Sequence, residues 1–242
     1  MDKTGIKATA KGTYVEQSVQ RLWLVRHGVT RWNIEQRFCG QSDIPLAPRG
    51  RVQARWLARR LQSERIAAIY SSDLQRARET AEIIAQRQPG MAPVTISPCW
   101  REINFGAWEG LSYEQIARNF EQHAGFFSDP QHCATPGGES LADVLRRVNR
   151  GLSEIAANAR TTRGDVVVVS HGGTLRALLC RALGMPLDRQ WQLRLDPGSL
   201  SAIDLLPMSD AALPQAILVF LNVQRPKRPR HPGTRFNKSI RQ

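Results

Sequence analysis

Two apolar segments of the chain each end in a histidine followed by glycine, and this repeated ending constrains the fold more than any other feature of the sequence. The first is RLWLVRHG at residues 21–28, and the second is DVVVVSHGG at residues 165–173. Both apolar runs have the length of a buried strand. Ligands of open α/β sheets bind outside the carboxyl ends of the strands. If these two strands are neighbours, we expect His27 and His171 to face each other across a few ångströms at one edge of a sheet.

Strand-like and helix-like segments alternate along the rest of the chain. Apolar residues recur at helical spacing in RGRVQARWLARRLQSE and LQRARETAEIIAQR, on either side of the strand-like RIAAIYSSD. TLRALLCRALG predicts a helix that ends at Gly184, and GSLSAIDLLP and AILVFLNV predict late strands. This alternation predicts an α/β fold, a three-layer sandwich with a mainly parallel central sheet. The segment of about 107–160 is predicted as a helical insertion folded over the carboxyl ends of the strands.

The length of 242 residues suits one folded domain with a flexible segment at each end. We predict a flexible leader at 1–20, the domain at 21–224 and a basic disordered tail at 225–242. The tail holds seven Lys and Arg residues and no acid, so it supplies about half of the net charge of +13. Its prolines favour a solvated tail, while contact with RNA or another polyanion is the alternative.

The sequence gives no signal for a membrane, for secretion or for a metal site. No apolar run is long enough to span a bilayer, and the first twenty residues contain no apolar signal region. The four cysteines are far apart, and His123, His132 and His231 have no ligand spacing, so we predict these histidines on the surface. We therefore expect a cytoplasmic protein with free thiols and no metal or other cofactor. The sequence leaves a homo-oligomer open.

Arg26 and His27 stand side by side at the end of a predicted strand, although adjacent cationic groups repel each other. A bound phosphoryl group would stabilise this arrangement, since phosphoryl transfer is catalysed mostly by positioning and electrostatic stabilisation. Arg26 offers a planar fork to two phosphoryl oxygens, and Arg76 offers a second fork from the first turn of a predicted helix. Gly172 allows close backbone approach to an anion. The sequence therefore predicts that these residues and His171 surround one phosphoryl dianion.

A cationic pocket also suits a histidine nucleophile. Nearby arginines disfavour protonation of His27, so its imidazole keeps a lone pair for attack on phosphorus. A hydrogen bond from the other ring nitrogen to a backbone carbonyl would fix the tautomer. The reaction also needs a proton donor for the leaving group and a base for water, and REINFGAWEGL offers the carboxylates of Glu102 and Glu109. Spacing alone does not choose between these two.

Six motifs occur in a fixed order between residue 22 and about residue 223. They are RHGVTRWN, RFCGQSDIPLAPRG, SSDLQRARETA, EINFGAWEG, PGGES and VVVVSHGG. In this order they resemble the motifs of the histidine phosphatase superfamily, whose members include cofactor-dependent phosphoglycerate mutases and alpha-ribazole phosphatases. The resemblance implies a phosphatase or mutase that works through a phosphohistidine and uses no metal.

The resemblance also implies roles for individual residues. It makes His27 the nucleophile and selects Glu102, not Glu109, as the proton donor. It adds Asn33 as a residue of the phosphate pocket. The side chains that it implies for the phosphate clamp are those of Arg26, Arg76 and His171.

The motif PGGES raises one further candidate, because Glu139 and Ser140 stand beside two glycines as catalytic residues often do. Ser140 is followed at the third position by Asp143, just before the helical pattern LADVLRRV. This spacing is typical of a helix N-cap and its acidic partner. We therefore predict a capping role for Ser140.

Phosphatase and mutase share this core and differ in whether water reaches the phosphohistidine. The segment between Glu102 and His171 is shorter than in the family's mutases and lacks their proline-rich basic stretch, which favours a phosphomonoester hydrolase acting on a small phosphorylated metabolite. Alpha-ribazole 5'-phosphate is one candidate substrate, and a phosphoglycerate mutase is the alternative. A non-catalytic polyanion-binding module would be expected to lack a core residue. We expect substrate specificity to depend on the insertion and on the loop around Gln41 and Ser42.

Overall fold

The computed structural model describes residues 20–120, 125–159, 164–206 and 216–226. The predicted leader lies outside these residues apart from Gln20, and the predicted tail lies outside them apart from its first two residues. The division of the chain into leader, domain and tail therefore stays a prediction. In the described part of the chain, no helix has the length and apolar character needed to cross a membrane.

The centre of the structure is one sheet of six strands. The strands are β1 (Gln20–Arg26), β2 (Ile66–Ser71), β3 (Val94–Ile96), β4 (Asp165–Ser170), β5 (Leu200–Leu205) and β6 (Ala216–Val223). In space they follow the order β3-β2-β4-β1-β5-β6. The first four are parallel to one another, and β5 and β6 extend the sheet antiparallel at one side. The predicted mainly parallel sheet is confirmed, and β1 and β4, which carry the two His-Gly endings, are neighbours.

Helices cover both faces of this sheet. The α-helices of the described residues are α1 (Arg31–Ile34), α2 (Pro48–Leu61), α3 (Gln75–Ala85), α4 (Tyr113–Asn119), α5 (Gly125–Ser128), α6 (Leu141–Ala159) and α7 (Gly172–Leu183), with 3₁₀ turns at Pro98–Trp100, Gly106–Trp108 and Leu187–Gln192. Alternate residues of β4 point to opposite faces. Val167 and Val169 pack with apolar residues of α2 and α3, whereas Val166 and Val168 pack with those of α6 and α7. The predicted three-layer α/β sandwich is confirmed.

Local sequence signals set the ends of the main helices. Pro48 is the first residue of α2, where its missing N–H costs nothing, and Gly184 ends α7 in the left-handed conformation with φ of 67°. At the start of α6, the backbone N–H of Asp143 donates to Oγ of Ser140 at 3.3 Å, and the N–H of Ser140 donates to the Asp143 carboxylate at 2.9 Å. The predicted capping role of Ser140 is confirmed.

The segment 107–160 does not form a single unit. Tyr113 of α4 and Phe127 of α5 line a cavity at the carboxyl ends of the strands. The longer α6 packs beside α7, with Val144 and Val148 buried in the core. Only the first part of the predicted insertion therefore lies over the strand ends, because the apolar face of α6 is buried within the sandwich itself.

Candidate active site

The two strand-end histidines lie side by side. Arg26 of β1 and Ser170 of β4 are register partners, so His27 and His171 follow at adjacent positions. The centroids of the two imidazole rings are 4.9 Å apart, and both side chains are buried. The close approach that the sequence predicts is confirmed.

The ring of His27 is held in one tautomer. Its Nδ1 lies 2.7 Å from the carbonyl oxygen of Gly28. A carbonyl only accepts, so Nδ1 carries the proton and Nε2 has a free lone pair. Burial lowers the pKa of His27 well below its usual value of 6.5, and the charges of Arg76 and Arg26 lower it further. His27 is therefore a neutral imidazole, and burial contributes more to this than the arginines that sequence reasoning invoked.

His171 is buried without a hydrogen-bond partner. Neither of its ring nitrogens has one among the described residues, and the same holds for Nε of Arg26 and of Arg76. Burial, followed by the charge of Arg76 and the neighbouring His27, lowers the pKa of His171 well below 6.5. Unpaired buried polar groups are costly, so several of them around one histidine indicate a polar ligand. Their chemistry, cationic or hydrogen-bond donating, fits an anion.

Arg76 lies in the first turn of α3 and is fully buried. Its Nη1 donates to the carbonyl oxygen of Ser42 at 2.7 Å, and its Nη2 donates to that of Gly40 at 2.6 Å. Burial lowers the pKa of this guanidinium, which nevertheless stays charged at neutral pH. The backbone of the loop 40–42 thus fixes the direction of the Arg76 fork.

Glu109 holds this loop in place. Its carboxylate accepts the backbone N–H groups of Gln41 and Ser42, both at 2.8 Å, and that of Phe105 at 3.2 Å. The polar groups of the loop are therefore used inside the protein, and the cavity lining includes Gly40 but neither Gln41 nor Ser42. The loop around Gln41 and Ser42 positions Arg76, and its residues Phe38, Cys39 and Gly40 line the cavity. Its part in substrate specificity stays a prediction.

Arg26 extends from the end of β1 toward the start of α7. Its Nη1 donates to the carbonyl oxygen of Leu195 at 2.5 Å. A Cβ atom at Gly172 would lie 3.1 Å from Cζ of Arg26. Gly172 therefore leaves the space that the guanidinium of Arg26 occupies.

Glu102 lines the same cavity as His27 and contacts the start of α7. It is buried, and its Oε1 accepts the backbone N–H groups of Gly173 at 3.0 Å and Thr174 at 3.2 Å, at the start of α7 directly after His171. A Cβ at Gly173 would lie 2.7 Å from Oε1, so only glycine leaves room for this carboxylate. Glu102 lines the cavity and Glu109 does not, and the role of Glu102 as proton donor stays a prediction.

Sequence reasoning missed Arg147, a buried arginine of α6. It donates to the carbonyl oxygens of Arg101 at 2.6 Å and Glu102 at 3.1 Å, and its Nε donates to the carboxylate of Glu139 at 3.0 Å. Glu139 in turn accepts the backbone N–H of Asn104 at 2.8 Å. The pair therefore holds the chain on both sides of the Glu102 side chain. The sequence did contain a signal for a buried Arg147, because this residue lies on the side of α6 that carries apolar residues such as Val144 and Val148.

Asn33 lines the cavity, and its side chain already has local partners. Its Oδ1 accepts the backbone N–H of Thr30 at 3.0 Å, and its Nδ2 donates to Sγ of Cys39 at 3.4 Å. With the reciprocal bond from its own N–H to Oγ1 of Thr30, it forms the capping box of α1. A phosphate contact of Asn33 stays a prediction.

A cavity of about 480 Å³ opens above the strand ends. We define its floor as the four residues Arg26, His27, Glu102 and Gly172, and Asn33 lies on its wall. We define the aromatic mouth as the three residues Tyr113, Phe127 and Trp191. Arg76 and His171 do not line the cavity, but they lie close enough to His27 to interact with it electrostatically.

Among the residues that the structure describes, no group of three or more His, Cys, Asp and Glu could hold a metal ion. His132 is exposed, as predicted, and pairs with Asp129, while His123 and His231 lie outside the described residues. The positive charge around His27 comes from the guanidinium groups of Arg26 and Arg76. The site can thus bind an anion, offer it a neutral nucleophile and exchange a proton through Glu102.

Known proteins share both the sequence pattern and the fold. The model of the histidine phosphatase superfamily (branch 1) matches residues 22–210. The adenosylcobalamin/alpha-ribazole phosphatase of Escherichia coli K12 is 34% identical over 187 residues, which cover 76% of this chain and 90% of that protein. A Yersinia pestis protein named "Probable phosphoglycerate mutase GpmB" is 37% identical over 188 residues, which cover 76% of this chain and 84% of that protein.

A solved structure gives the same result. The mycobacterial glucosyl-3-phosphoglycerate phosphatase in complex with VO3 matches with a TM-score of 0.76 and 30% sequence identity, over 85% of this chain and 100% of that chain. The six motifs and the paired histidines therefore reflect common descent, and the chain belongs to the histidine phosphatase superfamily as a phosphatase of small phosphorylated metabolites.

Proposed function

We propose that this phosphatase hydrolyses its substrate through a phosphohistidine formed at Nε2 of His27. The observation that carries the proposal is the state of that ring. It is buried and neutral, its Nδ1 donates to the carbonyl of Gly28, and its Nε2 lone pair is free. A nucleophile with a fixed tautomer beside two arginines is suited to attack on a phosphoryl group.

In the first step, Nε2 of His27 attacks phosphorus while the bond from phosphorus to the ester oxygen breaks. Glu102, in its protonated form, gives its proton to the departing oxygen, so that an alcohol leaves. Arg26 and Arg76 stabilise the charge on the equatorial oxygens of the phosphoryl group, and His171 donates a further hydrogen bond. Gly172 and Asn33 complete the phosphate site in this proposal.

In the second step, the Glu102 carboxylate takes a proton from water, and the oxygen of that water attacks phosphorus. The bond from phosphorus to Nε2 breaks, inorganic phosphate leaves and His27 returns to its neutral form. Glu102 is then protonated again for the next cycle. The backbone N–H groups that hold Glu102 at the start of α7 keep it oriented in both steps.

We propose alpha-ribazole 5'-phosphate as the substrate to test first, because two curated relatives at 34% and 33% identity are named adenosylcobalamin/alpha-ribazole phosphatase. The second candidate is phosphoglycerate mutase, which the name of the Yersinia pestis relative supports. The aromatic mouth favours hydrolysis over transfer. Tyr113 is 61% exposed and Trp191 is 45% exposed, so the cavity is open to water.

The proposal is tested by measuring inorganic phosphate released from a panel of phosphomonoesters that includes alpha-ribazole 5'-phosphate. A phosphatase releases phosphate without 2,3-bisphosphoglycerate, and we expect this release to survive dialysis against EDTA. A mutase depends on 2,3-bisphosphoglycerate and interconverts 2- and 3-phosphoglycerate faster than it hydrolyses either. The control is His27→Ala, which should be folded and inactive on every ester.

We also propose the cytoplasm as the compartment of this enzyme. All four cysteines are free, which supports a reducing environment. Fractionation of cells that produce the full chain would test this, and recovery of the protein with secreted or membrane material would contradict it.

A further inference from the structure

The aromatic mouth is unusual in its exposure. Tyr113 is 61%, Trp191 45% and Phe127 37% exposed, and no other Trp, Tyr or Phe in the described part of the chain is as exposed as these three. All three line the cavity whose floor holds His27. Exposed aromatic rings cost free energy in water, so rings that converge at one cavity indicate a ligand that covers them.

The rings of the mouth are fixed in orientation by their neighbours. Phe127 stacks on the buried Trp108, with ring centroids 5.3 Å apart and an angle of 10° between the planes. Tyr113 contacts the same phenyl ring edge-on at 5.6 Å. Trp191 lies in the 3₁₀ turn Leu187–Gln192, and the guanidinium of Arg176 from α7 lies 5.6 Å from its ring centroid. The mouth is therefore preorganised, and little ordering is needed when a ligand binds.

Part of the cavity wall is apolar as well. Phe38, Ile103 and Phe105 line the cavity beside polar residues such as Asn33 and Gln36. Arg26 lies at the floor, where the phosphoryl group would lie, whereas the two other arginines of the lining are engaged elsewhere: Arg37 pairs with Glu35, and Arg176 donates to the carbonyl oxygen of Leu193. A substrate that fills the cavity of about 480 Å³ would thus place its phosphate among cations and its leaving group among apolar rings.

We propose that the aromatic mouth is a leaving-group subsite that selects phosphomonoesters of alcohols carrying an uncharged, planar aromatic ring. This inference rests on the proposed function and deepens it, since it names the class of leaving group. The ring of the substrate stacks on Trp191 or Phe127 while its phosphate occupies the floor. Offset or edge-to-face contacts between rings supply the preference over a saturated ring of the same size.

Arg37 and Arg176 both line the cavity and could favour a different substrate, because a guanidinium at a cavity wall can bind a carboxylate. Arg37 is held by the carboxylate of Glu35 and the carbonyl oxygen of Gly110. The Nε of Arg176 donates to the carbonyl oxygen of Leu193 at 2.8 Å, and its guanidinium carbon lies over the Trp191 ring, 5.6 Å from the centroid. These contacts hold Arg176 to the segment that carries Trp191, so its role in this inference is to orient the indole. A phosphoglycerate, whose leaving group carries a carboxylate, is therefore the natural competitor in the test.

The test compares 2-phenylethyl phosphate with 2-cyclohexylethyl phosphate. Both esters release a primary alcohol of the same carbon number and of closely similar basicity, so they differ mainly in the aromatic character of the ring. We expect the intact enzyme to hydrolyse the phenyl ester with a kcat/KM about threefold to tenfold higher, the factor that aromatic contacts supply. Trp191→Leu and Phe127→Leu should bring this ratio close to one.

The control variant is Phe220→Leu, which removes a half-buried ring from β6. This ring packs near Trp23, with ring centroids 6.0 Å apart, and does not line the cavity. The variant should keep the wild-type ratio. A ratio near one in the wild-type enzyme overturns the inference, as does a ratio that survives both mouth variants. A higher kcat/KM for 3-phosphoglycerate than for the phenyl ester also overturns it in favour of carboxylate recognition by Arg37 or Arg176.

These outcomes are separate from those of the proposed function. If no ester of any kind releases phosphate, the proposed function fails. If esters are hydrolysed without an aromatic preference, the hydrolase stands and only the subsite is wrong. Should a mouth variant fail to fold, as judged by circular dichroism, the wild-type ratio still decides the matter.

Discussion

The cavity floor and the aromatic mouth are built in different ways. Floor residues follow a strand or stand beside the start of α7, and backbone groups hold them: the carbonyl of Gly28 fixes His27, and the amides of Gly173 and Thr174 fix Glu102. Mouth residues lie on short helices or turns and are held by contacts between rings. The sheet thus determines the floor, whereas the mouth can change without disturbing the sheet.

This difference separates the reaction from the choice of substrate. Among the relatives described above, the names include an alpha-ribazole phosphatase, a phosphoglycerate mutase and a glucosyl-3-phosphoglycerate phosphatase. Several leaving groups within one family are the pattern expected when the scaffold fixes the reacting groups and the loops contact the rest of the substrate. Changes at the floor should therefore affect all esters, and changes at the mouth should affect the selection among them.

The largest effect is expected from Glu102→Gln. Loss of the proton donor should lower kcat/KM about a hundredfold to ten-thousandfold for esters with poor leaving groups. An activated ester such as p-nitrophenyl phosphate needs less help in the first step, so phosphoenzyme should accumulate because dephosphorylation still lacks its base. Stopped-flow measurement of the p-nitrophenolate burst and a comparison of esters of different leaving-group pKa would detect this pattern.

The matched control for this variant is Glu109→Gln. That carboxylate holds the N–H groups of Gln41 and Ser42, and through their loop it positions Arg76. The variant should slow all esters in similar proportion and leave the dependence on the leaving group unchanged. Identical behaviour of the two variants, or the burst pattern in Glu109→Gln alone, would show that the proton donor has been assigned to the wrong residue.

The next largest effect is expected from Arg76→Lys. A lysine keeps the charge but cannot donate to the carbonyls of Gly40 and Ser42 while also presenting a fork to the phosphate. We expect kcat/KM to fall about tenfold to a thousandfold for every ester, as for loss of other transition-state donors. Arg78→Lys, at an exposed position of the same helix paired with Glu82, is the control. Equal rates in the two variants would remove Arg76 from the clamp.

A smaller effect is expected from Arg147→Lys, which tests how the floor is supported. A lysine cannot bind the Glu139 carboxylate and the carbonyls of Arg101 and Glu102 together, so the proton donor should lose its orientation. We expect kcat to fall about tenfold to a hundredfold, with little change in KM and a steeper dependence on leaving-group pKa. The control is Arg146→Lys, an exposed neighbour. A change in KM alone would indicate a substrate-binding role instead.

Much of the floor could be predicted from the sequence because the apolar pattern of the strands determines where the residues after them lie. Apolar runs of strand length identified β1 and β4, and parallel pairing then placed His27 beside His171. The choice between Glu102 and Glu109 was not available from spacing alone. It depends on which carboxylate meets the amides at the start of α7, and that is a contact between segments 71 residues apart in the sequence.

The mouth and the support of the floor were not predictable in the same way. Tyr113 and Phe127 lie in a segment without a clear period, and Trp191 lies in a 3₁₀ turn, so no pattern showed that they would converge. The sequence analysis did not single out Arg147, although its neighbours on α6 are buried. The sequence did not show that the backbone of the loop around Gln41 would be held by Glu109 and would in turn hold Arg76.

The smallest effect is expected in the stability of the folded protein as pH changes. The pKa values of His27 and His171 are lowered in the folded protein, mainly by burial, so below pH 6.5 the unfolded chain binds protons that the folded chain does not. The free energy of unfolding should therefore decrease as the pH falls, by up to about 1.4 kcal/mol per pH unit for each histidine that stays neutral. Urea unfolding at several pH values would measure the slope. His171→Gln should make it shallower, and an unchanged slope would contradict the burial of a neutral ring.

The most direct test of the whole account is to trap the phosphoenzyme. Turnover of a ³²P-labelled phosphomonoester would be stopped rapidly without acid, since phosphohistidine is acid-labile, and the labelled residue would be identified by mass spectrometry. The account predicts phosphate on Nε2 of His27, and no label and no turnover in a folded His27→Ala protein. Label on another residue, or hydrolysis that continues in His27→Ala, would contradict it.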